Sequence, residues 1–484
     1  MTSDPPAQLP RSSPERHGVP SAAIEAFLDQ LEADGVELHS IMLLRHQTVL
    51  VEGWWAPYTR DGVQLLYSLS KSFTATAVGL AVAENRLSLD EPVSRFFPQD
   101  QVESLHPRVQ RMQVRHLLSM ATGHHIDTRP LMLAAAAPAA AFLAVVPEEE
   151  PGSWFTYHNG ASLMLSLIVT AVSGERLLEY LRPRLLDPLG IGEAWWLGTE
   201  SVDQGYSGLY LTTESIARFG QLYLRGGVWD GRRLLPDGWV TAATRLQVDS
   251  PREPHPDWRQ GYGYQFWRCR HGSYRGDGAF GQFCVVLPEH DVVLVTTAAV
   301  EDMQTVLDAL WQRLLPAFRA DSVPEANDSR LEDRLAALTL PVVRGDAEPA
   351  TTHQSRGSGA GGWSATSLRA DGEQPVSRLD LSPAADGGWL LSITDARATY
   401  QVPCGHGQWR SGEHLLGQAL LRTAACGAWT AAATFRAEIA FISTPHRMEV
   451  VADFGAGTVQ ARWRIAPLDA VGGSELAVPA RARR

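Results

Sequence analysis

The residues best suited to chemistry gather in Tyr67-Ser68-Leu69-Ser70-Lys71-Ser72-Phe73-Thr74. Of the 42 Lys and Arg residues in the chain, 41 are Arg and the remaining one is Lys71. Arg stays charged and cannot accept a proton. A Lys amine becomes a base once burial or a positive field lowers its pKa from ~10.4 toward ~7–8. Ser68 stands three residues before Lys71, so on a helix the hydroxyl and the amine share one face. The run Phe73 to Ala83 is Ala-rich and apolar, the pattern of a buried helix. A helix opening here places Ser68 in its first turn. Free backbone N–H groups and the positive dipole end would stabilise an oxyanion there and disfavour a protonated Lys71. The expected chemistry is attack by Ser68 with Lys71 as base. A Ser three before a Lys arises by chance at about 7%, so the weight rests on its being the sole Lys, at the head of an apolar helix.

A second group follows about ninety residues on, in Phe155-Thr156-Tyr157-His158-Asn159-Gly160, ahead of another apolar run. In extended chain, residues two apart point alike, so Tyr157 and Asn159 face one side. Tyr157, made more acidic by a nearby cation, is a candidate general base, and Asn159 can hold Lys71 and donate to a substrate carbonyl. A buried tyrosine beside a turn asparagine is the purely structural alternative.

The elements that must position these groups read as α+β. Residues 1–20 hold five prolines and form an extended lead-in. Ser21 to Gly35 carries Ile24, Phe27, Leu28 and Leu31 on one helical stripe. Ile41–Leu44 and Thr48–Val51 read as two strands turning at Arg45-His46-Gln47. A helical middle follows, with helices over Val114–Gly123, 131–146, Gly160–Gly174 and Thr213–Gly226. Strands return at Tyr262–Trp267, Phe283–Val286 and Val292–Val295, and a helix over Met303–Leu315 closes the block. Beyond it the alternation Val459, Ala461, Trp463, Ile465 and that of Leu379 with Leu381 mark a β-rich module of short antiparallel strands. The division expected is an N-terminal extension (1–20), a catalytic domain (21–318), a linker (319–362), a β-rich domain (363–470) and a tail (471–484). The stretch Gly357-Ser358-Gly359-Ala360-Gly361-Gly362 matches G-x-G-x-x-G literally. No strand precedes it and no helix follows, so it reads as linker.

Composition narrows the function classes. At 484 residues with 44% hydrophobic and 20% charged content, the chain reads as an ordinary globular protein. The formal charge of -12 and the lack of a basic block argue against nucleic acid as a partner. The longest uncharged apolar run, Leu131 to Val146, is 16 residues long and interrupted by Pro138, too short for a bilayer. The N-terminus lacks signal-peptide regions, and four cysteines show no C-x-x-C spacing. Reduced thiols and a cytoplasmic location are the expectation, with no metal and no cofactor. Gly205-Tyr206-Ser207-Gly208-Leu209 does not satisfy G-x-S-x-G, which argues against an α/β-hydrolase.

Taken together, Ser68-x-x-Lys71, Tyr157-x-Asn159 and a later Gly-bearing strand resemble the penicillin-recognising serine hydrolases. That group holds class C β-lactamases, D-Ala-D-Ala carboxypeptidases, β-lactamase-fold esterases and 6-aminohexanoate-dimer hydrolases. Leu87-Ser88-Leu89-Asp90-Glu91-Pro92-Val93, Asp187-Pro188-Leu189-Gly190 and Arg218-Phe219-Gly220-Gln221-Leu222 add to the resemblance, which covers about residues 20–318. It implies a β-lactamase/transpeptidase-like fold, an antiparallel sheet flanked by helices with a helical subdomain. It also implies Ser68 as nucleophile and Lys71 with Tyr157 as acid/base pair, acting on a small ester or amide through an acyl-enzyme. The third motif falls at Gly276-Asp277-Gly278-Ala279, so the N–H groups of Ser68 and Ala279 would form the oxyanion hole beside Gly278. The resemblance's Lys or His is replaced by Gly276, which points away from carboxylate-bearing substrates and toward esterase-like action. β-Lactamase, peptidase or amide-oligomer hydrolysis stands as the alternative, as does a catalytically idle binding protein, and a homo-oligomer is left open.

Overall fold

The computed structural model describes residues 8–98, 105–318, 323, 329–349, 366–370, 375–385, 387–468 and 474–479. The Gly-rich stretch 357–362 lies outside them. A six-stranded, wholly antiparallel sheet forms the centre of the first half. Its strands are β1 (Glu37–Arg45), β2 (Thr48–Trp54), β3 (Trp267–Arg268), β4 (Tyr274–Gly278), β5 (Gln282–Leu287) and β6 (Val292–Ala299), in the spatial order β2-β1-β6-β5-β4-β3. The β1–β2 hairpin turns through His46 and Gln47, both at positive φ (50° and 64°), as a two-residue turn between right-twisted strands requires.

Helices cover both faces, which explains why the strands are apolar at nearly every position rather than at alternate ones. Ile41 and Leu43 of β1, Phe283 and Val285 of β5 and Leu294 of β6 pack against helix α1 (Ser21–Ala33). Their neighbours Met42, Leu44, Cys284, Val286 and Val293 pack on the opposite side. There the cover is α2 (Ser70–Ala83), α3 (Asn159–Ser173) and α4 (Thr213–Leu224). Phe73 of α2 stacks on Phe219 of α4 at 3.9 Å between ring centroids, both fully buried. Each contributes roughly 1.5–3 kcal/mol by burial.

Two expected elements differ. The 131–146 run is broken into helices Arg129–Leu133 and Pro138–Ala144. Pro138 has no N–H to continue the first helix and instead opens the second. The aromatic run Tyr262–Trp267 is not a strand, because Gln265 takes φ 59°. Its backbone carbonyl accepts from Ser72 Oγ at 2.8 Å, its Oε1 from Ser162 Oγ at 2.6 Å, and its Nε2 donates to Leu118 O at 2.8 Å. One buried glutamine thereby ties three helices together.

The C-terminal quarter forms a β-barrel, built from Thr366–Ala370 to Thr458–Trp463. Most neighbours pair antiparallel as expected, but two parallel pairings, of Thr366–Ala370 with Thr458–Trp463 and of Thr399–His406 with Ala419–Ala431, close it. Trp389, Val402, Leu421, Trp429 and Phe435 pack its core. It docks on the first half through Arg447, which pairs with Glu37 across the boundary. All four cysteines are buried and unbridged. Among the described residues no single helix is long and apolar enough to cross a bilayer.

Strand β4 approaches the start of α2 closely. A Cβ on Gly278 would stand 1.9 Å from the Leu66 carbonyl oxygen, a backbone atom that cannot rotate aside. Gly278→Ala is expected to lower stability by about 1–3 kcal/mol, read as a fall in the thermal or urea midpoint.

Candidate active site

Ser68 lies in a 3-10 turn, Tyr67–Leu69, that leads directly into α2. It stands one turn ahead of the α-helix rather than inside its first turn, and it is half-buried. Lys71, on the first turn of α2, is 1% exposed. Its Nζ lies 2.9 Å from Ser68 Oγ, 2.8 Å from Asn159 Oδ1 and 2.8 Å from the Tyr206 carbonyl oxygen. The start of α2 is also stapled to the segment carrying that carbonyl: Thr74 Oγ1 donates to Gly205 O at 2.7 Å, and Leu209 N donates to Ser70 Oγ at 3.1 Å.

Asn159 opens α3, and Tyr157 precedes it in extended chain. The Tyr157 phenol stands near enough to Ser68 for the serine hydroxyl to lower its pKa. Its ring stacks on Trp267 (5.6 Å, 11°), with Lys71 Nζ 4.8 Å from the ring centroid. The structure therefore brings Ser68, Lys71, Tyr157 and Asn159 into one cluster. Gly278 ends β4 beside it, against Leu66 and Tyr67, and Ala279 follows in the β4–β5 turn. Gln282 Nε2 donates to the Ala279 carbonyl at 3.1 Å and to that of Ala298 at 2.7 Å, which fixes the turn that carries the Ala279 N–H.

Burial pushes Lys71 down to about 7; the carboxylates of Asp127 and Asp277 oppose the shift and Arg129 adds to it. The expected acidification of Tyr157 is reversed. Burial, with the negative field of Asp277 behind it, raises the phenol, and the neighbouring Ser68 hydroxyl pulls the other way. A phenol in that setting stays protonated.

The third motif carries its charges on the far side. Gly276 faces α2, and a Cβ there would meet Leu69 Cδ1 at 2.4 Å and Ser72 Oγ at 2.6 Å. Arg275 and Asp277 point to the opposite face. Arg275 is fully buried, lies 4.1 Å over the Trp258 ring and pairs with Asp277 at 3.0 Å. It is not presented to the cleft. A hollow of about 770 Å³ lined by Pro10, Asp187, Gly190, Arg218 and Trp229 shares none of these groups, so chemistry rather than concavity marks the site.

The Beta-lactamase family profile matches residues 17–318, more than half of the chain. This protein belongs to the Beta-lactamase family. Members share a β-lactamase/transpeptidase-like fold and are serine hydrolases. Among relatives, the 6-aminohexanoate-dimer hydrolase of Paenarthrobacter ureafaciens is 24% identical over 62% of this chain and 84% of its own length. Penicillin-binding protein 4 of Amycolatopsis lactamdurans is 26% identical over 64% and 88%. A solved penicillin-binding protein homologue from Caulobacter crescentus superposes with a TM-score of 0.51 at 19% identity, covering 64% of this chain and all of that one. That likeness is one of fold.

Asp127 was not legible in the sequence. Its Oδ2 accepts from Asn159 Nδ2 at 2.8 Å, and its Oδ1 accepts from the N–H groups of Gly160 (2.9 Å) and Arg129 (3.0 Å). This turns the Asn159 carbonyl oxygen toward Lys71. Tyr206 contributes only a backbone oxygen, which no side-chain pattern announces.

Lys71 is the sole lysine, so selective 13C-lysine labelling gives one side-chain resonance. It is expected to titrate near pH 7, about three units below a free amine. Asp127→Asn removes a charge that favours the ammonium, so the midpoint should fall further; a rise would contradict this electrostatic assignment.

Proposed function

We propose that this protein is a serine hydrolase working through an acyl-enzyme on Ser68, acting on small uncharged esters or amides. One observation carries the reading: the hydrogen-bond inventory of Lys71. An ammonium has three donors, whereas a neutral amine has two N–H groups and a lone pair. Two of its three partners, Asn159 Oδ1 and Tyr206 O, can only accept. They take both N–H groups of the neutral amine and leave its lone pair for the Ser68 hydroxyl, the one partner able to donate.

As Ser68 Oγ attacks the carbonyl carbon, its proton passes to Lys71. The N–H groups of Ser68 and Ala279 receive the developing oxyanion, each worth ~2.7–4 kcal/mol of barrier. The Tyr157 phenol donates its proton to the leaving group as that bond breaks. In the second half, water attacks the acyl carbon and gives a proton to the Tyr157 phenolate. Ser68 departs and recovers its proton from Lys71, so both groups end as they began.

The preference for uncharged substrates rests on the third motif. The Arg275 guanidinium is buried against Asp277, and the carboxylates of Asp277 and Glu253 both act on Tyr157. A substrate carboxylate would meet no unpaired cation on that strand; Arg129, the cation that acts on Lys71, comes from the helical side instead. The likeness to a 6-aminohexanoate-dimer hydrolase supports keeping amides beside esters.

Intact-mass spectrometry after exposure to a fluorophosphonate should show one adduct, absent in Ser68→Ala. Short-chain aryl esters should compete better than a penicillin; competition chiefly by penicillin would refute the charge argument. No adduct at all would favour a binding protein. Lys71→Arg keeps a cation but removes the base, and should cost about 10²–10⁴-fold in turnover. Because only the neutral amine serves, kcat/KM should rise with pH up to about 7 and level off above it.

A further inference from the structure

Both proposed oxyanion donors sit beside a strained residue. Tyr67, immediately before Ser68, has φ 46°, and Phe280, immediately after Ala279, has φ 69°. For side chains of this bulk, positive φ is uncommon and strained, so surrounding contacts must hold it. The two rings pack edge-to-face at 5.4 Å. The group that touches both is a histidine of the C-terminal barrel: His446 lies 5.9 Å from the Tyr67 ring and 5.6 Å from that of Phe280.

The contact is polar as well. The Tyr67 hydroxyl lies 2.5 Å from His446 Nε2 and 3.0 Å from Glu475 Oε1, also in the C-terminal half. His446 Nδ1 faces the Ile465 carbonyl at 3.1 Å. A carbonyl only accepts, so Nδ1 carries the ring proton, and the single Tyr67 proton is shared between the two acceptors it faces, His446 Nε2 and Glu475 Oε1. Tyr67 and His446 are 2% and 0% exposed, and His446 ends the hairpin turn between strands Thr434–Ala440 and Arg447–Asp453.

The same turn grips the chain just ahead of the nucleophile. The Leu65 N–H donates to Ser443 O at 2.8 Å, Gln64 Nε2 to Ile442 O at 2.7 Å and the Tyr58 hydroxyl to Thr444 O at 3.1 Å. The turn is itself rigid: Thr444 N donates to Phe441 O at 2.8 Å, and Phe441 N to His446 O at 3.0 Å.

We infer that the barrel turn Ile442–His446, with Glu475, is a positioning element of the active site that holds Tyr67 and Phe280 so that the N–H groups of Ser68 and Ala279 converge. His446 and Tyr67 are positioning residues; neither touches the reacting atoms. The barrel is then part of the catalytic apparatus rather than an appended module. This inference rests on the hydrolase reading of Ser68.

The test uses the full chain with Tyr67→Phe, His446→Leu and His446→Gln, beside Ser68→Ala. Two rates are read: fluorophosphonate labelling and turnover of 4-nitrophenyl butyrate. Tyr67→Phe keeps the ring and its packing and removes only the hydroxyl, so it is the variant least able to fail by unfolding. Tyr67→Phe and His446→Leu should lose about 10–100-fold in labelling rate and kcat, with KM within about two-fold. His446→Gln, which keeps an acceptor for Tyr67, should recover most of the loss. Folded Tyr67→Phe labelling and turning over at the wild-type rate would overturn the inference while leaving the hydrolase reading intact. So would a loss confined to KM. A wild-type chain with no Ser68-dependent labelling would remove the hydrolase reading itself, and this inference with it.

Discussion

The site depends on keeping one amine out of water. A lysine ammonium in an apolar interior loses hydration that hydrogen bonds to neutral groups only partly replace, and the protein answers by lowering its pKa. Other local features follow from this. Helix α2 is buried along almost its whole length, and Phe73 anchors it on Phe219 of α4. The two carbonyl oxygens on Nζ are fixed in turn: Tyr206 O by the bonds stapling its segment to α2, and Asn159 by Asp127. Asp127 and Asp277 stand near enough to keep the shift from running further. Without them the amine would be a weaker base than the serine hydroxyl needs; with either in direct contact it would remain an ammonium. Arg cannot take this place, since its guanidinium does not give up its proton at any physiological pH.

Three chain segments far apart in sequence supply the cluster, and the antiparallel sheet brings them together. The β4–β5 turn delivers Ala279 at the sheet's edge, α2 crosses beneath it, and α3 enters from the helical side. Close approach of β4 to α2 and the turn before it fixes the distance between the β4–β5 turn and Ser68, which is why Gly276 faces Leu69 and Ser72 and Gly278 faces Leu66 and Tyr67. A side chain at Gly276 would point into Leu69 and Ser72 rather than into the cleft. The departure from the resemblance's Lys or His therefore belongs to packing as much as to specificity. The positive charge of this strand sits one residue earlier, on the other face, and is neutralised there.

What the sequence disclosed was local. The Ser68–Lys71 spacing, the β1–β2 hairpin, α1, α3 and α4 and the β-rich character of the C-terminal half all follow from periodicity and punctuation over short windows. What stayed hidden depends on contacts across long separations. Asp127 has no motif, and its role arises because its loop meets the start of α3. Gln265 reads as one polar residue in an aromatic run, yet its positive φ breaks the expected strand and serves three helices. The acidity of Tyr157 was read with the wrong sign, because nothing near it in sequence announces Asp277 from β4 as its neighbour. His446 lies 379 residues from Tyr67, beyond any local pattern.

The barrel bears on a wider physical point. A turn that must present an N–H toward an empty space cannot be stabilised by what it presents, since the oxyanion exists only during reaction. Its strain has to be offset from behind. In this chain the supporting side is closed by the Ile442–His446 turn, whose backbone meets Gln64 and Leu65 and whose imidazole meets Tyr67 and Phe280 together. Such support acts equally in the ground state and the transition state as far as binding is concerned. Its effect is on geometry, and so appears in the rate rather than in affinity. A fold able to bury Lys71 by itself would still need something behind Tyr67, and this chain draws that support from its C-terminal barrel.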